Sequence, residues 1–420
     1  MAVAGTTPAE KPRDRVAFGA LTAFAVVMYT IPSEWIPALA PLRLALTSSV
    51  LAAGLMLVRK LGSREPFFFD GLRGLSLILF GLIAFLSVNW SVAPEVTRGH
   101  SQEVLKLVAI YLTMVNVITT PARLIIFSGA MVLASIVTSW HVIDVYNSGI
   151  DLVEGYRARW LGVYADPNHM AMDIGLVVPI AVSFMLRKKN PWWMRLGAGV
   201  SAALAVTSIV YSHSRGGFIG LCAAMAMWIF LEKSRRLQSL VVAGLLFLCL
   251  LLFAPSSFWT RNETVADFEA DASAMGRVYA WETAGEMSAN NPLLGVGAGA
   301  FMYAWPLYAP LEAPTALVAH NVYLDVVGEL GFIGLFFFLI FSGGASGAGF
   351  TATKSAEHAW LMNGISAAVT GYLVCNLFSG YTISAHLYVL FGLAACAERV
   401  VRLRSTEVVA EVFARQAWEV

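Results

Sequence analysis

The sequence predicts an all-α membrane protein: a polytopic bundle of about 12 transmembrane helices with one long loop on its outer side. Three observations carry this. Of its 420 residues, 58% are hydrophobic and only 13% are charged, whereas a soluble domain carries about 25% charged residues. Mean hydropathy is +0.69, and the apolar residues fall in runs near the twenty that a helix needs to cross a bilayer core of about 30 Å. The basic residues then alternate between the two sides of those runs. So much apolar side chain excludes disorder. The formal net charge of +1 gives no general attraction for nucleic acid. Cys222, Cys249, Cys375 and Cys396 all lie inside apolar runs, where cysteine acts as a small hydrophobe rather than a zinc ligand or disulfide partner.

In chain order, spans are expected over 16–32, 35–58, 74–90, 102–118, 122–145, 169–186, 192–211, 215–231, 237–254, 321–341, 359–379 and 384–399. Pro32, Pro37 and Pro41 break the pattern between the first two. Lys11, Arg13 and Arg15 precede an apolar run in the manner of a signal peptide. No small-residue cleavage site follows, so the run reads as a retained first helix. Four regions result: residues 1–254 with nine spans, the loop 255–320 with amphipathic helices, residues 321–400 with three spans, and a tail 401–420. The segment Ser342–Ser355, rich in Gly, Ala and Ser, reads as a flexible linker. There is no internal repeat.

With the N-terminus inside, the lysines and arginines gather on the inner side. Six remain outside, namely Arg98, Arg157, Arg159, Arg215, Arg261 and Arg277, and none is a lysine. This puts residues 255–320 outside the cytoplasm and the tail within it.

The unusual polar residues collect on the outer side. In the long loop, Arg277, Trp281, Ala284 and Met287 share one helical face. They form an amphipathic helix ending at Asn290-Asn291-Pro292, with the Gly-rich turn Leu294–Gly299 after it. Either Arg277 snorkels from an interfacial helix, or it binds a phosphate. Tyr211-Ser212-His213-Ser214-Arg215-Gly216-Gly217 lies between two spans. Ser214 can cap the second, placing Arg215 at its N-terminus, where free N–H groups, the helix dipole and a guanidinium make an anion site. A capped hairpin with a headgroup-level arginine is the equal alternative. His320 opens a span on the outer side, followed by Asn321, with Asp325 and Glu329 four residues apart inside that span. Carboxylates there mark a function or a buried polar network, and a structural pair is favoured over direct catalysis. In Asp166-Pro167-Asn168-His169, Asp166 caps another span, and Asn168 or His169 faces the outer cavity. Loop acids Asp267, Glu269 and Asp271 form neither a helical face nor a dense oxygen-ligand loop, so neither a metal nor another cofactor is expected. Arginines that offer bidentate donors to phosphate and a histidine able to take a proton together suit a reaction on a lipid-linked diphosphate.

These residues also carry a resemblance. His320-Asn321-Val322-Tyr323-Leu324 followed by Gly328-Glu329-Leu330-Gly331-Phe332-Ile333-Gly334-Leu335 resembles the hallmark of the bacterial O-antigen ligase/polymerase family. Gly276–Trp281 with Asn291–Gly297 is similar to its loop motif, and Ser214–Gly217 and Asp166–Asn168 fit in order, over roughly residues 160–340. The resemblance implies an inverting GT-C glycosyltransferase in the bacterial inner membrane, needing no metal, with its site facing the periplasm. Its donor would be an undecaprenyl-diphosphate-linked glycan, and its acceptor hydroxyl would belong to a glycolipid or glycan. Transfer of O antigen to the lipid A core in lipopolysaccharide biosynthesis is the first expectation. Polymerisation of O antigen or exopolysaccharide and protein O-glycosylation are the alternatives within the family. His320 would be the catalytic base, Arg215 and Arg277 would hold the diphosphate, and Asp166, Asn168, Asn321 and Glu329 would support them. A transporter of lipid-linked glycans is the competing class. It too would use arginines and intramembrane acids, but it needs no ionisable histidine.

Overall fold

The structure is a computed structural model describing residues 12–233, 236–238, 240–241, 244–245, 248, 255–256, 258, 272–313, 315–352, 357–379 and 382–416. Most of the expected span 237–254, together with Arg261, Asp267, Glu269 and Asp271, lies outside the described residues.

The described chain is a bundle of helices. Helix α1 (Pro12–Thr30) is followed by α2 (Leu44–Ser63), α3 (Gly71–Leu86), α4 (Pro94–Val117) and α5 (Pro121–Ser148). Next come α6 (Pro167–Gly175), α7 (Val177–Leu186), α8 (Trp192–Tyr211) and α9 (Arg215–Leu231). Beyond the loop are α10 (Ala272–Asn290), α11 (Phe301–Tyr308), α12 (Val322–Ala352), α13 (Ala359–Cys375) and α14 (Ala385–Gln416). Six stretches among the described residues are long and apolar enough to cross a membrane: Pro37–Ser63, Gly71–Asn89, Pro121–Ser148, Pro167–Leu186, Trp192–Tyr211 and Val322–Gly347. Helices α9 and α13 are shorter apolar helices. Val50, Leu72 and Phe336 are 60%, 65% and 58% exposed on the outside of the bundle. Apolar side chains presented there in number suit contact with lipid rather than water. The protein is an all-α multi-pass membrane bundle.

The helix ends follow local chemistry. Thr120 caps α5 by accepting from Arg123 N, with Pro121 at the first helical position, where its missing N–H is no loss. Between α1 and α2, Ile31 adopts a left-handed conformation, and a single turn and a 3-10 segment (Pro37–Leu42) intervene. The prolines therefore delay the second long helix to Leu44, later than the expected start at 35. Helices α6 and α7 form one span interrupted near Leu176. Pro179 supplies no N–H for the carbonyl of Gly175 four residues before it, so regular bonding lapses there.

Two expectations are corrected. Residues 342–352, within the segment expected to be a flexible linker, continue α12 as helix. Small residues in a membrane helix permit close approach of neighbours, and the Gly344 backbone accordingly accepts from Arg73 Nη1 at 3.0 Å. Helix α12 is also not continuous, because Gly331 has φ 66° and ψ −172°. The loop after α10 fills the break. Phe332 N donates to Pro292 O at 2.7 Å, while Val296 N and Gly297 N donate to Gly328 O and Glu329 O at 3.0 and 2.8 Å. Non-helical backbone at this depth needs such protein partners, since lipid offers none. Gly331 permits the crossing: its φ is left-handed, and a Cβ there would overlap the Leu293 carbonyl group.

Candidate active site at the helix ends

The N-termini of α6, α9 and α12 and the C-terminus of α13 meet at one end of the bundle. Each N-terminus is capped by the residue type the sequence offers. The Asp166 carboxylate accepts from Asn168 N and His169 N at 2.7 and 3.0 Å. Ser214 Oγ accepts from Gly217 N at 3.2 Å. Asn321 Oδ1 accepts from Tyr323 N and Leu324 N at 3.0 and 3.2 Å. Asn321 is thus the cap of α12.

The turn after α13 joins two of these termini. Asn321 Nδ2 donates to Leu377 O at 3.2 Å, and Val322 N donates to Asn376 O at 3.0 Å. On the other side, Cys375 Sγ lies 3.5 Å from Gly216 O, and a Cβ on Gly216 would come 3.1 Å from Phe378 Cβ. The segment 375–378 therefore separates the Arg215 end of α9 from the His320 end of α12 by little more than one layer of side chains.

His320 has φ 48°. A non-glycine residue held there is strained, and such strain clusters at functional sites. Its Nδ1 is buried with no hydrogen-bond partner among the described residues. Charged or titratable groups face it from two directions: Arg277 on α10, and Asp166, His169 and Arg157 around the start of α6. Burial, and then the Arg277 charge, push the imidazole down to about 4, against the opposing pull of Asp166. His320 is thus neutral at ordinary pH. Burial pushes the Asp166 carboxyl up, but His169 and the two capping N–H groups outweigh it, leaving the carboxyl below its usual value.

Helix α10 reaches the site through protein contacts. Ala280, Ala284 and Met287 are fully buried in a cluster with Val296, Phe301, Ala304, Trp305 and Ala319. Of the stripe read as an interfacial face, Ala284 and Met287 thus pack on the loop and α11, while Trp281 stays exposed. Trp281 Nε1 donates to Ala319 O at 3.1 Å, fixing α10 beside His320, with Arg277 one turn earlier.

Of the expected residues, Arg277 and Asp166 both lie within electrostatic reach of His320, and Arg215 stands at the first position of α9. Asn168 joins this group through Arg157. Glu329 does not. It sits nine residues beyond His320, about 13 Å along the helix at 1.5 Å per residue. Its carboxylate accepts from Gly299 N at 2.7 Å and Phe301 N at 3.1 Å, holding the start of α11. This agrees with the structural reading of that acid.

Arg157 and a buried polar network were not anticipated. Arg157 is 5% exposed. It donates from Nε to Ser212 O at 3.1 Å, from Nη2 to Asn168 Oδ1 at 2.8 Å and from Nη1 to Glu154 Oε1 at 3.3 Å. Its only sequence signal is its place in the outer loop just before Asp166-Pro167-Asn168. One turn below His169, the fully buried Asp173 lies 3.1 Å from His386 Nδ1 and accepts from Tyr372 Oη at 3.0 Å. Tyr164 Oη contacts His386 Nε2 at 2.9 Å. This network joins α6, α13 and α14 beneath the site.

A family model described as O-Antigen ligase matches residues 200–339, a stretch that includes Arg215, Arg277 and His320. The exopolysaccharide production protein ExoQ of Rhizobium meliloti (strain 1021) is 26% identical over 275 residues. That alignment covers 62% of this chain and 61% of ExoQ, so the chain spans less than two thirds of that relative's length. Together with the four motifs in their order, these matches support a likeness of this chain to the O-antigen ligase/polymerase family.

Proposed function

We propose that the protein transfers a glycan from an undecaprenyl diphosphate donor to an acceptor hydroxyl at the outer face of the bacterial inner membrane. The observation that carries this reading is the neutral, strained His320 set against Arg277. In the reaction, the acceptor oxygen attacks the anomeric carbon as His320 takes the hydroxyl proton. The bond from that carbon to the diphosphate oxygen breaks, and attack from the opposite side inverts the anomeric centre. The diphosphate leaves with the electron pair, its charge met by Arg277 and Arg215 and by the positive ends of helices. Donor binding also strengthens the base, since the diphosphate's negative charge opposes Arg277 and raises the proton affinity of the imidazole. The concentration of basic residues on the opposite side supports a periplasmic site.

Ligation of O antigen to the lipid A core is the first reading of the acceptor, supported by the family description. Extension of a lipid-linked chain is the second, favoured by the similarity to a protein of exopolysaccharide production. The test is transfer by purified protein supplied with lipid-linked donor and each acceptor in turn. His320→Ala is expected to lose about 10²–10⁴-fold in single-turnover transfer with donor binding retained. Arg215→Lys and Arg277→Lys are expected to weaken both, because lysine lacks the planar fork. Movement of donor across a vesicle membrane without any transfer would instead make the protein a transporter.

A further inference from the structure

We propose that Arg157 is a positioning residue for the transfer step, locking the Ser212–Arg215 turn to the N-terminus of α6 and holding a buried positive charge in front of His320. This rests on the transferase reading above.

The geometry separates Arg157 from the diphosphate-binding arginines. All three of its guanidinium nitrogens donate to protein oxygens, on Ser212, Asn168 and Glu154. A fork committed in this way is a strut rather than a substrate clamp. The segments it joins are distant in sequence and adjacent to the chemistry. Ser212 is two residues before the cap of α9 and three before Arg215. Asn168 lies between the capping Asp166 and His169. A backbone bond reinforces the link, with Ala158 N donating to Tyr211 O at 2.9 Å. Without the strut, Ser212 O and Asn168 Oδ1 would each lose a charged donor, and two elements that must register to a fraction of an ångström would keep their helix packing, with Ala171 against Gly217, but lose the polar link that fixes their register. A misplacement of about 1 Å in a reacting constellation is enough for a 10²-fold loss of rate.

The second contribution is electrostatic. The groups facing His320 are Arg277 from α10, Asp166 and His169 from the start of α6, and Arg157 from the loop. Arg277 and Arg157 both disfavour the imidazolium, and Asp166 favours it. Removing the Arg157 charge leaves Asp166 less opposed, so His320 protonates at higher pH.

The experiment compares wild type, Arg157→Gln, Arg157→Lys and His320→Ala, each purified in detergent and matched for monodispersity. Donor binding, single-turnover transfer and the pH dependence of kcat/KM are measured. Arg157→Gln is expected to lose roughly 10²-fold in transfer and to move its acid limb to higher pH. Arg157→Lys keeps the charge but not the fork. It is expected to lose rate while its limb stays where wild type has it, a separation that a merely structural defect would not produce. Wild-type transfer and an unmoved limb in Arg157→Gln, with His320→Ala inactive, would overturn the role of Arg157 alone. Wild-type transfer by His320→Ala would instead remove the transferase reading on which it rests. Should Arg157→Gln fail to fold, the Arg157→Lys profile decides: full activity, or a limb moved upward, overturns the proposal.

Discussion

Trp281 and Ala319 are joined by a hydrogen bond from the indole Nε1 to the backbone carbonyl at 3.1 Å. Ala319 directly precedes His320, and Trp281 is one turn after Arg277, so this bond, with the packing of Ala280, Ala284 and Met287 around Ala319, sets the two candidate site residues relative to each other. Trp281→Phe keeps most of the ring and removes the donor. Loss of one such bond is worth about 1 kcal/mol. Transfer is expected to fall by about three- to tenfold, with a small drop in thermal stability in detergent. If neither changes, α10 is held by its buried Ala280, Ala284 and Met287 face alone.

The depressed basicity of His320 predicts the pH profile. Its value in the folded protein, about 4, lies below the roughly 6.5 of an unperturbed histidine. As pH falls, the unfolded chain binds the proton first. The stability associated with the neutral imidazole is therefore complete above about 6.5 and is lost as pH falls from there to about 4. Activity should follow the folded value, with the acid limb of kcat/KM, which reports the free enzyme, near pH 4. A limb near 6.5 that disappears in His320→Gln would show that Arg277 and burial do not shield the ring.

Much of this arrangement is legible in the sequence because it is local. The ends of α8 and α9 fall where the apolar runs stop, and Asp166 and Ser214 cap the helices that follow them. The break at Gly331 is not legible. It depends on Pro292–Gly297, more than thirty residues away, supplying backbone partners, and Gly331 in an apolar run reads equally well as a helix-packing residue. The partners of Arg157, at positions 168 and 212, are brought near only by the tertiary fold. The segment 342–352 shows the opposite failure: a composition that suits a linker in water suits a packed helix in a membrane.

The asymmetry of basic residues predicts accessibility. Cysteine introduced at the exposed position Glu286 on α10 should react with a membrane-impermeant thiol reagent in cells whose outer membrane has been permeabilised. Cysteine at Leu403 on α14 should react only after the inner membrane is lysed. Both sites are exposed on the protein, so burial would not hide either one. The reverse pattern would invert the orientation and place His320 in the cytoplasm.

The crossing of α12 by the loop yields a paired prediction about two glycines in the same helix. Gly331→Ala places a side chain at φ 66° and drives its Cβ into the Leu293 carbonyl group. A left-handed conformation alone disfavours an L-residue by roughly 1–2 kcal/mol, and the backbone overlap adds to this by parting Phe332 N from Pro292 O and Ile333 N from Leu293 O. Gly343 lies further along with nothing within 4 Å of an added Cβ. There, alanine should be neutral or stabilising by up to about 1 kcal/mol, as alanine favours helix more than glycine does. Thermal unfolding in detergent should thus move in opposite directions for the two substitutions. Glu329→Leu tests the same crossing from the side-chain end, because it strands the N–H groups of Gly299 and Phe301 at roughly 1–3 kcal/mol each. It should lower stability strongly, while Glu329→Gln, which keeps one acceptor oxygen, should lower it less and leave transfer per folded molecule nearly unchanged. A Glu329→Gln protein of wild-type stability and no transfer would move Glu329 from scaffold to chemistry.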